Sequence, residues 1–109
     1  MKVIYAVTVF QKISHEPLFE DPTKYIPSFG DHRCVGWFDN FPEAKCAVEN
    51  NFSNMHDNMY EYAIIESYEP GILLPETSRT LFKWNTNNSK YEPIEIPIEL
   101  SKTSNFGIG

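Results

Sequence analysis

Residues 32–52 read HRCVGWFDNFPEAKCAVENNF and place a strand directly before a helix, which decides the type of fold. The β-branched and aromatic residues predict a strand from His32 to Phe38. Asn40 is a good N-cap, and Glu43 follows it at the spacing of a capping box. We therefore predict a helix over about residues 41–51. Its apolar stripe comprises Phe41, Ala44, Ala47, Val48 and Phe52.

Four further stretches have the character of strands. Residues 2–11 are apolar on both faces, which is typical of a central strand, and residues 59–69 carry tyrosines on one face. Residues 79–85 and 90–94 predict two strands joined by a hairpin loop, and Pro93 confines the second to a sheet edge. The order β-β-α-β-β-β predicts an α+β fold, a small antiparallel sheet with one helix packed on a face.

The chain has 109 residues, enough for a single domain over 1–109. Residues 12–31 contain three prolines and predict a long loop without regular structure. Loops of this length are functional or mobile, so contact with a partner and a plain surface excursion both remain open. Residues 101–109 form a polar tail whose last four residues are apolar enough to dock on the domain.

One helix covers only one face of a five-stranded sheet. The aromatic residues of strands 2–11 and 59–69 would then be exposed on the other face. A second copy of the chain is the simplest cover, so we expect a homodimer.

The compartment follows from the cysteines and from the apolar segments. Cys34 and Cys46 are too few for a disulfide scaffold, and we expect both to be free thiols. No stretch has the pattern of a signal peptide or reaches the roughly 18 apolar residues of a membrane span. We expect a cytoplasmic protein without membrane contact.

Charge and motifs argue against several functions. The net charge of −6 disfavours duplex DNA, whose phosphates need a positive surface. No phosphate-binding glycine loop, Gly-x-Ser-x-Gly elbow or His-Glu-x-x-His pair occurs, so we predict no catalytic residues and no enzyme. Among the carboxylates, Glu66 falls on the tyrosine face of its strand, where a hydrogen bond to a tyrosine is its expected role.

A metal site has little support. The possible ligands His32, Cys34, Cys46 and His56 lack the paired cysteine spacing of zinc sites. His32 and Cys34 are also poorly placed for a nucleophilic pair, since neighbours on one strand face do not normally hydrogen-bond. We predict no metal and no cofactor.

Aromatic and basic residues recur together on the predicted hairpin over residues 79–94 and on the strand over residues 32–38, a combination that can stack a base and hold a phosphate. A small nucleotide needs only a few cations, so the acidic composition does not exclude it. The alternative is that the aromatic residues are core and the cations are solvated. The predicted ligand-binding residues are Arg33, Trp37, Arg79, Phe82, Lys83, Trp84, Lys90 and Tyr91.

Several short motifs point to a family. They are Gly36-Trp37-Phe38, Glu43-Ala44, the run from Glu61 to Glu66, Pro70-Gly71-Ile72, Phe82-Lys83-Trp84, the run from Lys90 to Pro93, and Phe106-Gly107-Ile108-Gly109. In this pattern, over most of residues 33–109, the chain resembles short uncharacterised proteins of Firmicutes and their phages. The resemblance implies a phage anti-defence protein, because small phage proteins without enzyme motifs often counter bacterial immunity.

Two functions follow, both in the cytoplasm of a host cell. In the first, the protein sequesters a small nucleotide immune signal, of cyclic nucleotide or cyclic ADP-ribose type, as phage sponges directed against Thoeris and CBASS defence do. In the second, it inhibits a host defence protein directly through an acidic surface, since residues 42–109 carry 5 positive and 10 negative groups, a net of 5 − 10 = −5. An enzyme acting on small nucleotides is a third, less favoured possibility.

Overall fold

A computed structural model describes residues 3–17, 23, 25–57, 59–68 and 78–97. It contains seven strands, one α-helix and one turn of 3₁₀-helix in these segments. The elements are β1 (Ile4–Phe10), β2 (Ser14–Pro17), β3 (Tyr25–Ser28), β4 (His32–Phe38), α1 (Phe41–Glu49), the 3₁₀-helix (Phe52–Asn54), β5 (Tyr62–Tyr68), β6 (Arg79–Asn85) and β7 (Lys90–Ile94).

Five strands form one antiparallel sheet in the order β4-β1-β5-β6-β7. The α+β class with one helix and one main sheet is therefore confirmed. β1 lies inside the sheet, as its apolar character on both faces predicted, and β7 lies at an edge, as Pro93 predicted. The strand expected over residues 59–69 begins only at Tyr62.

The helix forms where the sequence predicted it. The Asn40 side chain accepts a hydrogen bond from the Glu43 backbone N–H at 2.9 Å, which satisfies one of the unpaired donors of the first turn. Lys45 Nζ lies 3.8 Å from Glu49 Oε2, the spacing expected one helical turn apart. Ala44, Ala47 and Val48 face the sheet and are buried.

The long connection is not free of regular structure. β2 and β3 pair as a two-stranded antiparallel ribbon, in which His15 lies opposite Pro27 and Pro17 opposite Tyr25. Prolines led us to predict a loop, but in such a ribbon each strand has an open edge where a missing N–H is tolerated. The rest of the expected loop, at 18–22 and 24, and the tail 101–109 lie outside the described residues.

Each face of the main sheet carries a buried apolar cluster. On the face covered by α1, the core includes Val7, Val9, Ile65 and Phe82. On the other face Phe10, Ile64 and Leu81 form a second cluster, against which Ile13, Phe29 and Tyr62 pack.

The reason we gave for a homodimer is therefore wrong. Phe10 and Tyr68, two of the aromatic residues expected to need a cover, are 0% and 2% exposed within a single chain. From the sequence we expected α1 to be the only cover within the chain. In fact the segments next to the β2–β3 ribbon also pack on it, held by hydrogen bonds from the Gln11 and Lys12 backbone N–H groups to the Phe29 carbonyl, each of 3.1 Å.

Candidate ligand-binding site

The eight residues predicted to bind a ligand do not form one site. Arg79 is held by a buried carboxylate, because its Nε donates to Glu66 Oε2 at 2.9 Å and its side chain is only 12% exposed. The other oxygen of Glu66 accepts a hydrogen bond from the Tyr68 hydroxyl at 3.1 Å, which confirms the expected contact between Glu66 and a tyrosine. The Arg79 guanidinium therefore serves the structure of the sheet.

Two of the predicted aromatic residues are core. Phe82 is fully buried, and the Tyr91 hydroxyl donates to the Tyr60 carbonyl at 2.7 Å in the interior. Burial, with a smaller effect from the charge of Glu61, raises the pKa of the Tyr91 phenol well above its ordinary value. A neutral, hydrogen-bonded tyrosine of this kind stabilises the fold, and only its edge borders the groove that Lys90 also lines.

Trp84 is partly buried, and it borders the same groove as Lys83. Its ring stacks on His56 with centroids 3.9 Å apart and an interplanar angle of 8°, and it meets Tyr91 edge to face. His56 is itself buried, with Nε2 3.7 Å from Glu61 Oε1. For Trp84, as for Phe82 and Tyr91, the alternative that these aromatic residues are core fits the geometry.

The two lysines of the hairpin are exposed and lie in separate places. The Lys83 ammonium lies 5.9 Å from the centroid of the Tyr62 ring and lines a groove of about 390 Å³. Lys90 lines a different groove, of about 550 Å³, between the end of α1 and β7. Glu92 borders both grooves and carries the opposite charge.

A cavity better suited to a small ligand than these two grooves lies over strand β4, on the side of the sheet that α1 covers. Its volume is about 460 Å³, within the range of small-molecule sites. We call it the β4 cleft. It is lined by Val7, Arg33, Cys34, Val35, Gly36, Phe38, Ala47, Phe52 and Met55.

A β-bulge and a glycine shape this cleft. Cys34 lies opposite Thr8 and Gly36 lies opposite Val7, so Val35 is an extra residue in β4. Apart from Gly36 itself and its two chain neighbours, no heavy atom of the described residues lies within 4 Å of the position that a Cβ of Gly36 would occupy. The missing side chain therefore leaves open space along the β4 wall of the cleft.

The cleft has an apolar floor and one cation. Arg33 is exposed, and its Cζ lies 5.4 Å from the centroid of the Tyr60 ring. Phe52, whose side chain is 53% exposed, lies at the rim. No carboxylate is among the lining residues that the structure describes. This arrangement suits an anion that also carries a flat apolar part.

Trp37 lies away from the cleft. It is opposite Ala6 in the ladder, so its side chain projects from the face of the sheet that α1 does not cover. It is 56% exposed. Of the eight predicted residues, only Arg33 lines the β4 cleft.

Sequence reasoning missed Phe52 and Gly36. Phe52 fitted the apolar stripe of the helix, but the helix ends at Glu49 and Phe52 begins the 3₁₀-helix. Gly36 within a strand was the available signal, because such a glycine often marks a bulge or a place where a ligand comes close.

The possible metal ligands do not assemble into a site within the described residues. In the part of the chain that the structure describes, no three His, Cys, Asp or Glu side chains are close enough to hold a metal ion. Cys34 and Cys46 are both free thiols. Within the same segments, no helix is both long and apolar enough to span a bilayer.

The chain matches no protein-family model, and no curated protein or solved structure is significantly similar to it. The resemblance to short proteins of Firmicutes and their phages therefore stays a prediction.

Proposed function

We propose that the chain is a non-enzymatic binding protein of the phage anti-defence type, which sequesters a small nucleotide immune signal in the host cytoplasm. The observation that carries the proposal is the β4 cleft, a cavity of about 460 Å³ that is lined by exposed Arg33 and by eight uncharged residues. The resemblance of the sequence to phage proteins supplies the biological setting.

The lining of the cleft matches the two parts of a nucleotide. A guanidinium binds phosphate oxygens through two parallel, charge-assisted hydrogen bonds, and exposed Arg33 is available for this. A base can stack on an aromatic ring, which contributes roughly 1–3 kcal/mol per base, and Phe52 presents such a ring at the rim.

Calorimetric titration with cyclic dinucleotides and cyclic ADP-ribose isomers tests this proposal. Arg33→Gln should weaken binding about 10- to 100-fold, since a charge-assisted hydrogen bond contributes roughly 1.5–3 kcal/mol. Lys83→Gln is the matched control, because it removes the same charge from another exposed strand position outside the cleft and should change the affinity less than about twofold. Equal effects of the two variants would contradict the assignment of the site.

Phe52→Ala measures the contribution of base stacking to nucleotide affinity separately from that of the Arg33 charge. More than half of this side chain is exposed, so its loss should leave the fold intact while weakening nucleotide binding. An unchanged affinity would show that no base stacks at the rim.

The second candidate function is inhibition of a host defence protein by direct contact. Trp37 and Phe52 favour it, because large exposed apolar side chains are typical of protein interfaces. The acidic composition would suit a partner with a cationic groove. Capture of a host protein by the wild type but not by Trp37→Lys, with no nucleotide retained by either, would favour this function over sequestration.

A further inference from the structure

The outer edge of β4 offers a place where a second copy of the chain can associate. Within the described residues β4 pairs only with β1, so residues 33–38 have no partner strand on the side away from β1. Open edges present unpaired N–H and C=O groups and readily accept another strand. The opposite edge of the sheet is β7, which Pro93 makes a poor pairing edge, whereas β4 contains no proline.

The bulge gives β4 an unusual pattern of side-chain directions. Residues opposite each other in an antiparallel ladder share a face. On the helix-covered face lie Arg33, Gly36 and Phe38, which are opposite Val9, Val7 and Tyr5, and Val35 packs on the same core. On the other face lie Cys34 and Trp37, which are opposite Thr8 and Ala6.

Along residues 33–38, the order in which side chains point to the helix-covered face or to the other face is symmetric about the peptide bond between Val35 and Gly36. A second β4 strand can therefore pair with the first one antiparallel with every opposed residue on a matching face. Cys34 would lie opposite Trp37 of the partner subunit, and Arg33 opposite Phe38 of the partner subunit. In a strand without a bulge, side chains alternate between the faces, so a pairing centred on the Val35–Gly36 bond would oppose residues from different faces. The extra residue at the bulge removes this mismatch and makes this symmetric pairing possible.

We infer that the chain forms a homodimer in which two β4 strands pair antiparallel about Val35 and Gly36, giving one continuous ten-stranded sheet. Gly36 has no side chain, so it can lie opposite Val35 of the partner subunit without a steric clash. Trp37, 56% exposed in the single chain, gains a cross-strand neighbour. This dimer differs from the one predicted from sequence, which was to cover a sheet face.

The pairing also bears on the ligand, in a step that rests on the proposed function. Phe38 lines the β4 cleft. Arg33 of the partner subunit, opposite Phe38, would bring a second guanidinium to the far end of each cleft. Each site would then have a cation at both ends, which favours a ligand with two separated phosphates.

A disulfide test reports the register directly. Opposed strand residues have Cα atoms about 4.5–5.5 Å apart, within the span of a disulfide. Trp37→Cys, in a Cys46→Ser background, should form a covalent dimer on mild oxidation through Cys34 of the partner subunit. Adding Cys34→Ser should abolish it. A covalent dimer that survives Cys34→Ser, or none from Trp37→Cys alone, would overturn the inferred register.

Light scattering measures the dimer without any engineered thiol. The wild type should have the mass of two chains, and Trp37→Lys should shift it toward one. Ile96→Lys is the matched control, since Ile96 is also exposed but follows β7, and it should stay dimeric. A monomeric wild type, or a dimeric Trp37→Lys, would refute the inference. Neither experiment uses a nucleotide, so failure of the dimer is distinguishable from failure of ligand binding.

Discussion

The side chain of Glu66 is fully buried on the face of the sheet away from α1, and both of its oxygens are used. Tyr68 donates to one oxygen and Arg79 to the other. Removing one member of a buried ion pair leaves an uncompensated charge, which is why such pairs are costly to break even where they add little net stability. The pair explains why Arg79 is a structural residue.

Arg79→Met should lower the free energy of unfolding by about 3–5 kcal/mol, because it leaves the Glu66 carboxylate buried without its cation. Urea denaturation measures the change. Lys45→Met is the matched control, since Lys45 pairs with Glu49 on the exposed side of α1 and should contribute less than about 0.5 kcal/mol. Similar losses for both variants would mean that the buried pair has no special role.

We expect the buried Tyr91 to make the fold less stable at alkaline pH. Burial raises the pKa of its phenol in the folded chain above the value of about 10 of an unfolded tyrosine. Its stabilising effect is therefore fully present below pH ~10 and is lost as the pH rises toward the folded pKa, by up to about 1.4 kcal/mol per pH unit. Urea unfolding between pH 8 and pH 11, as rough bounds, measures this.

Tyr91→Phe is the control for that pH dependence. It removes the titrating hydroxyl and the hydrogen bond to the Tyr60 carbonyl, so it should be less stable at neutral pH by about 1 kcal/mol or more. Its stability should fall less steeply above pH ~10. The same slope in the variant and the wild type would assign the alkaline loss to other groups.

Single residues show where sequence reasoning reached its limit. The contact between Glu66 and a tyrosine was predictable, because residues two apart in a strand share a face. Its contact with Arg79 was not, since it depends on the register that places Glu66 opposite Arg79 across β5 and β6. The same applies to Arg33, whose position in the cleft depends on the register with β1.

Among the elements, α1 depends most clearly on a single local signal. Asn40→Ala removes the acceptor for the Glu43 N–H and should lower the free energy of unfolding by about 1 kcal/mol. Thermal or urea unfolding measures it. Asp39→Ala removes a neighbouring exposed side chain that does not cap the helix, and should have a smaller effect. An equal loss from both would argue against the cap.

The β6–β7 hairpin is stabilised by a local network of side-chain hydrogen bonds. Asn85 and Asn88 donate side-chain hydrogen bonds to the two oxygens of Glu92, at 2.6 and 2.9 Å. These bonds lower the pKa of the Glu92 carboxyl, because they favour its ionised form. The loop was predictable from its asparagines, but this network was not, since it depends on the strand register.

The elements that sequence reasoning missed share a physical cause. β2 and β3 contain prolines that disfavour a strand in an extended sheet but are tolerated in an isolated ribbon. The bulge at Val35 arises from pairing with β1, and Gly36 is its one signal in the sequence of the strand. Local preference therefore identified α1 and the main strands, while features set by partners at a distance were hidden.

For the whole molecule, the class of fold was predictable and the site was not. Apolar alternation and the capping signal sufficed for one helix on an antiparallel sheet. The predicted site residues do not come together, because aromatic and basic residues of one hairpin were expected to share a surface. The sheet instead puts Phe82 and Trp84 toward the core below α1, and Lys83 on the other face beside Tyr62.

That the chain holds a ligand without converting it is tested most directly by mass spectrometry of what it retains. Protein purified from cells that make the signal should release intact nucleotide on denaturation, close to one per cleft. Gly36→Val should release almost none, because its side chain enters the open space of the β4 cleft. Equal release from both proteins, or a product formed many times over per chain, would contradict sequestration in this cleft.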